Sequence, residues 1–117
     1  MIDLSVKDSP MRGRGMFARQ DYVPNQTISQ CSVTPISIAH GDMVEKTPIG
    51  DYLFWWDEHR VAIAFGPISF ANHSAQPNMY LARDYEKNTL ASFARRPIAK
   101  GEELTFDYET IWFPVME

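Results

Sequence analysis

No stretch of this 117-residue chain sustains an apolar period of 3.6, and that absence limits the folds open to it more than any single motif does. Apolar residues come instead in short runs of strand length. Leu4-Ser5-Val6-Lys7 alternates, Met16-Phe17-Ala18-Arg19 follows, and Asp51-Tyr52-Leu53-Phe54-Trp55-Trp56-Asp57 is a short aromatic run. Arg60-Val61-Ala62-Ile63-Ala64-Phe65, Met79-Tyr80-Leu81-Ala82-Arg83, Thr89-Leu90-Ala91-Ser92-Phe93-Ala94 and Glu103-Leu104-Thr105-Phe106 continue the series. Between them stand ladder breakers, Ser9-Pro10, Val23-Pro24-Asn25-Gln26, Gly66-Pro67 and Pro97-Ile98-Ala99-Lys100-Gly101, where proline removes a donor and glycine frees the backbone. Asp57-Glu58-His59 and Asp84-Tyr85-Glu86-Lys87-Asn88 suit hairpin connections, and Ile68-Ser69-Phe70-Ala71 suits one helical turn. Thr27-Ile28 and Val33-Thr34 read as short extended pieces, and residues 35–48, which carry Gly41-Asp42, as mostly loop. The expectation is a β-rich, mainly β domain.

Size and charge narrow the function classes. A chain of 117 residues, 44% hydrophobic, holds one core and leaves no room for a second folded domain, so residues 1–117 are expected to form a single domain. Its net charge of −4 provides none of the basic field that direct nucleic-acid binding needs, and is compatible with a basic peptide partner. One cysteine, Cys31, excludes an internal disulfide, and with His40, His59 and His73 it makes no zinc spacing, so no metal is expected. Met1-Ile2-Asp3-Leu4-Ser5 has neither the basic nor the apolar region of a signal peptide, and no run is long enough to span a membrane. A soluble protein of the cytoplasm or nucleus is expected.

Chemistry-bearing groups concentrate in Phe70-Ala71-Asn72-His73-Ser74-Ala75-Gln76-Pro77-Asn78, where an amide, an imidazole and a hydroxyl follow one another before a Pro-Asn turn signal. Taken alone, such a stretch is more often a turn satisfying its own polar groups than a site. Two further blocks accompany it: Gly13-Arg14-Gly15-Met16-Phe17-Ala18 upstream, and Phe93-Ala94-Arg95-Arg96-Pro97-Ile98-Ala99-Lys100-Gly101-Glu102-Glu103-Leu104-Thr105-Phe106-Asp107-Tyr108 downstream. The first is not a dinucleotide fingerprint, because no third glycine and no helix follow. In this order and at these separations the three blocks resemble the SET domain, the fold of most protein lysine methyltransferases, over residues 6–112.

The resemblance implies small curved sheets around a knot-like crossing, where the Asn72-His73-Ser74 loop meets the Phe106-Asp107-Tyr108 segment. It also implies S-adenosylmethionine as cofactor and a lysine in a basic protein, histone-like in character, as substrate. Tyr108 matches the active-site tyrosine. Phe106 matches a substrate-channel position that affects how many methyls are added, and phenylalanine there resembles the more permissive kind. On the cofactor side, Arg12, Gly13 and Arg14 match the glycine-rich turn whose main chain lies along the donor. Asn72 matches a side-chain amide that bonds the methionine part, and His73 a residue whose main chain reads adenine. Tyr52 resembles another cofactor-contacting tyrosine, and Trp112 an aromatic over the adenine ring.

Departures from the pattern point the other way. Ala75 stands where many members have cysteine, and no cysteine-rich zinc segment follows Tyr108. Ser29-Gln30-Cys31-Ser32-Val33 lacks the tyrosine that often lines the lysine channel, its place falling near Ser32. These leave a competing reading, a catalytically weak SET-like module that holds peptide or cofactor without turnover. Trp55, Trp56, Trp112 and Phe113 are many large aromatics for a small surface, and pairing in a homodimer would cover them.

Overall fold

The computed structural model describes residues 5–10, 13–40 and 46–107. Among the described residues nine strands make two sheets. Four strands form the smaller one, in the order β1 (Val6–Asp8), β2 (Arg14–Phe17), β9 (Glu103–Phe106), β6 (Asn72–His73). The larger has the order β4 (Leu53–Trp55), β5 (Arg60–Ala64), β3 (Thr27–Ser37), β8 (Thr89–Ala94), β7 (Met79–Asp84). All pairings are antiparallel except β6 with β9, which run parallel with Asn72 opposite Thr105 and His73 opposite Phe106. The mainly β expectation holds, and the pairing of β6 with β9 brings the central polar stretch beside the Leu-Thr-Phe segment.

Residues 35–48 depart from the loop expectation, because β3 runs on to Ser37 through Pro35. Two features of the register allow it. The first half of β3 pairs with β8 and the second half, Val33 to Ser37, with β5, so the second half has no named strand on its other side. Phe65 N donates to Ser32 O and Ile38 N to His59 O, which makes Pro35 opposite Ala62 a non-hydrogen-bonded pair. The donor that proline lacks would have pointed away from β5, and the ladder loses nothing. Tyr52 likewise belongs to a 3-10 turn, Pro48–Tyr52, rather than to the aromatic strand that follows. The helical turn expected after Gly66 is present as Pro67–Phe70.

The larger sheet curls until its edges meet. β4 and β7 are its outer strands, yet Arg83 Nε donates to Trp55 O at 3.0 Å and the Tyr85 hydroxyl to Trp56 O at 2.8 Å. Side chains thus occupy main-chain acceptors that an edge would otherwise expose. Burial draws the Arg83 guanidinium down to about 10 and pushes the Tyr85 phenol up. Trp56, counted above among surface aromatics, is fully buried with its ring edge-on to Tyr85 at 5.3 Å, while Trp55 is 40% exposed. Trp112 and Phe113 lie outside the described residues. The core inside the curl joins Trp56, Leu81, Leu90 and Ala94 to Phe54, Phe106, Leu104 and Met16, so one apolar cluster spans both sheets. No described helix is long and apolar enough to cross a membrane.

Candidate functional site

A cleft of about 250 Å³ opens where the two sheets adjoin, lined from separate stretches of chain by Gly13 and Arg14, by Tyr52 and Phe54, by residues 69–73, and by Phe106. Its volume is near the lower end of small-molecule sites, about 300–1,000 Å³. Of the residues singled out from sequence, Gly13, Arg14, Tyr52, Asn72, His73 and Phe106 all face this one space. Arg12, Tyr108 and Trp112 lie outside the described residues. Ser32 is on β3, exposed, and is not among the lining residues.

Local chemistry explains how each group reaches the cleft. Gly13 has φ 54, a left-handed conformation that glycine adopts without a side-chain penalty, and it turns the chain from β1 into β2. Arg14, the first residue of β2, lays its guanidinium over the Phe70 ring at 4.5 Å from the centroid. Phe70 ends the 3-10 turn that Gly66-Pro67 initiates, and meets Tyr52 edge-on at 5.6 Å. A cation on one ring face and a second aromatic at its edge hold Phe70 in place as a wall. Phe106, fully buried, packs against Phe54 at 5.5 Å and forms the floor.

β6 fixes the polar side. Parallel pairing with β9 sets Asn72 and His73, and Ser74 N donates to Phe106 O at 3.0 Å, so the tripeptide is tied to the strand that carries Phe106. Asn72 Nδ2 lies 2.7 Å from Glu103 Oε2, 3.2 Å from Arg14 O and 3.3 Å from Ser9 Oγ. His73 is more exposed, with Nδ1 3.9 Å from Asp107 Oδ1. Among the described residues no cluster of three or more His, Cys, Asp or Glu side chains is arranged to hold a metal ion.

Several residues of this site were missed in the sequence. Phe70 stood at the head of the central stretch without a role, and Phe54 was read only as part of a strand. Nothing local in the sequence marks Glu103 as a site residue, since its partners Ser9 and Asn72 are 94 and 31 positions away. Asn78 was read as a turn residue bonding its own backbone. Instead it is buried, and its amide donates to Glu103 O and accepts from Thr105 N, both at 2.8 Å. The alternation along β9 was the available signal: Leu104 and Phe106 on its apolar face imply that Glu103 and Thr105 need polar partners on the other.

Known proteins resemble this chain in sequence and in fold. The SET domain profile matches residues 13–109. A histone-lysine N-methyltransferase of Schizosaccharomyces pombe, H3 lysine-37 specific by name, is 30% identical over 115 residues, which is 94% of this chain and 76% of that protein. The H3 lysine-36 specific histone-lysine N-methyltransferase of Saccharomyces cerevisiae is 31% identical over 123 residues, covering 90% of this chain and 16% of that protein. Histone-lysine N-methyltransferase 2B of Homo sapiens is 31% identical over 121 residues, where this chain spans 4% of the relative's length. A Plasmodium falciparum chain named as a candidate histone methyltransferase has the same fold, with a TM-score of 0.68 at 23% identity over 88% of this chain and 94% of that one. A profile match over most of the length, with its three blocks gathered at one cleft, carries the conclusion that the chain belongs to the SET-domain family.

Proposed function

We propose that this chain transfers a methyl group from S-adenosylmethionine to the ε-amine of a lysine in a basic, histone-like protein. One observation supports this above the others: Gly13 and Arg14, Tyr52, Asn72 and His73, and Phe106, drawn from distant parts of the chain, line a single cleft with π faces, an amide and a cation. That set suits a donor with a flat base and a charged amino-acid end. Relatives named as acting on histone H3 make a histone tail the first substrate to test, and a net charge of −4 is compatible with a basic peptide.

S-adenosylmethionine, when bound, would supply an electrophilic methyl on a sulfonium whose departing form is a neutral thioether. The chain's own residues must align the nitrogen with the methyl, receive the lysine as a neutral amine, and keep water out. When the donor is bound, the main chain at Arg12, Gly13 and Arg14 would lie along it, Asn72 would hold its amino-acid end, His73 and Trp112 its adenine, and Tyr52 would close the side. Phe106, with no hydroxyl to hold a water beside the amine, leaves space for an amine that already carries methyls. Tyr108 orients the amine through its phenol. An unperturbed phenol titrates near ~10, so its role at neutral pH is alignment and electrostatic stabilisation rather than free-base proton removal. Calorimetric titration tests the cofactor half: one S-adenosylmethionine per chain, weakened in Asn72→Ala, is expected, and no heat with folded protein overturns the proposal.

A further inference from the structure

We infer that the seam of the larger sheet is a binding site for a small monovalent anion, held between the Arg83 guanidinium and the Trp56 indole N–H. Along β7, Met79, Leu81 and Arg83 share the inner face of the curl, since Met79 and Leu81 are buried in the core while Tyr80 stacks on Phe93 on the outer face. Register places Arg83 opposite Leu90, which is also fully buried. The guanidinium therefore enters the curl just beyond Leu81, and Tyr85, two residues on, rests its ring against Trp56 at 5.3 Å. Leu81, Leu90 and Trp56 belong to one apolar cluster, so the charge and the indole share one end of the same core.

Both groups lack an acceptor there. Trp56 Nε1 and Arg83 Nη2 are each shut off from solvent, and neither has a hydrogen-bond partner. Two other donors of the seam are used, Arg83 Nε on Trp55 O and the Tyr85 hydroxyl on Trp56 O. Nor does a carboxylate answer the charge among the described residues. The acids adjacent in the chain are committed elsewhere: Asp57 to Arg60, through contacts of 2.7 and 2.6 Å, and Asp84, on the outer face of β7, to the turn N–H groups of Glu86 and Lys87. Buried donors in folded proteins are almost always satisfied, and a buried cation without a counter-charge is the costlier of the two to leave alone. Water would accept from these donors and leave the charge unanswered. A small anion does both, accepting N–H groups from two sides while neutralising the guanidinium. Trp55 and Trp56 directly follow Phe54, so an anion that holds Arg83 in the seam also steadies the strand whose Phe54 lines the cleft.

Chloride and bromide are the probes. At constant ionic strength, replacing gluconate, a bulky anion, by chloride at about 200 mM is expected to raise the thermal midpoint of the unaltered protein by about 3–6 °C, the linkage shift for a ligand at several times its dissociation constant. Arg83→Gln removes the charge and keeps a donor; its midpoint should differ by less than about 1 °C between the two salts. In crystals soaked in bromide, an anomalous peak is expected within hydrogen-bond reach of Trp56 Nε1 and Arg83 Nη2. A midpoint of the unaltered protein that is indifferent to the anion overturns the proposal, and water alone then fills the place. So does a chloride shift retained in full by Arg83→Gln, or a bromide peak found only elsewhere. A peak at the seam with no chloride effect on the midpoint marks an adventitious ion only, and overturns it as well. Should Arg83→Gln fail to fold, Trp56→Phe removes the other donor and keeps a ring against Tyr85. A chloride shift as large as the parent's in that variant overturns the proposal, and a smaller one supports it.

Discussion

Asn78 and Thr105 are hydrogen-bonded to each other in both directions: Asn78 Oδ1 accepts from Thr105 N at 2.8 Å, and Asn78 N donates to Thr105 Oγ1 at 3.3 Å. With Asn78 Nδ2 donating to Glu103 O, this side chain acts as one residue's worth of strand along β9. It satisfies the backbone that lies between the cleft's polar side and its floor.

Asn78→Ala leaves a buried N–H and a C=O without their partners. It is expected to lower stability by about 2–4 kcal/mol, the cost of two unmet groups. Asn78→Asp should lose a similar share, because a carboxylate cannot donate to Glu103 O. Urea denaturation followed by tryptophan fluorescence checks both, and a change within about 0.5 kcal/mol would contradict the strand-like role.

Gly15→Ala is predicted to cost about 1–3 kcal/mol by overpacking, since the new methyl would fall against Glu103 and Ser9. Gly101→Ala meets nothing within 4 Å, but its φ of 93 costs about 1 kcal/mol in backbone strain. The two losses differ in kind. Only Gly15→Ala displaces the carboxylate next to Asn72, so only it should also weaken donor binding, which calorimetry on the two variants resolves.

Much of the architecture was legible because strands and breakers are local signals. The runs at 60–65, 79–83, 89–94 and 103–106 fall on β5, β7, β8 and β9 within a residue or two. What was not legible depends on partners far along the chain. Pro35 looked like a strand breaker, and only its register opposite Ala62 explains why it is not. Trp56 looked like surface, and only the curl that brings Tyr85 against it makes it core. Gly13, Arg14, Asn72, His73 and Phe106 were legible through three short blocks, whereas the parts played by Ser9, Gly15, Phe54 and Phe70 became visible once the sheets were assembled.

Acid should destabilise the fold through two carboxylates. Arg96 and the Ala99 N–H bond Glu102 and hold its carboxyl below the usual range. Partial burial pushes Asp57 up, but the bonds from Arg60 and the His59 N–H outweigh it and the net shift is downward. A depressed pKa in the folded state means stability that is present above the unfolded value and lost as pH falls through the folded one. Thermal midpoints are therefore expected to hold above about pH 5 and to drop below about pH 4, with a shallower drop in Glu102→Gln. Both pairs are solvent-facing, so high salt should reduce the difference between the variant and its parent. An unchanged acid slope in Glu102→Gln would contradict the assignment.

The most direct test of the account is transfer itself. Isotopically labelled S-adenosylmethionine is incubated with the protein and a panel of basic proteins that includes core histones, and the products are mapped by mass spectrometry. Label on a lysine is predicted, reaching the di- or trimethyl form under the proposal that Phe106 leaves the amine uncrowded. Tyr108→Phe should keep the fold and the donor affinity while slowing turnover by about 10²–10⁴-fold, the range for loss of a positioned group in the transition state. Label on another residue type, or lysine label indifferent to Tyr108→Phe, would contradict the account, as would donor binding with no transfer to any protein of the panel.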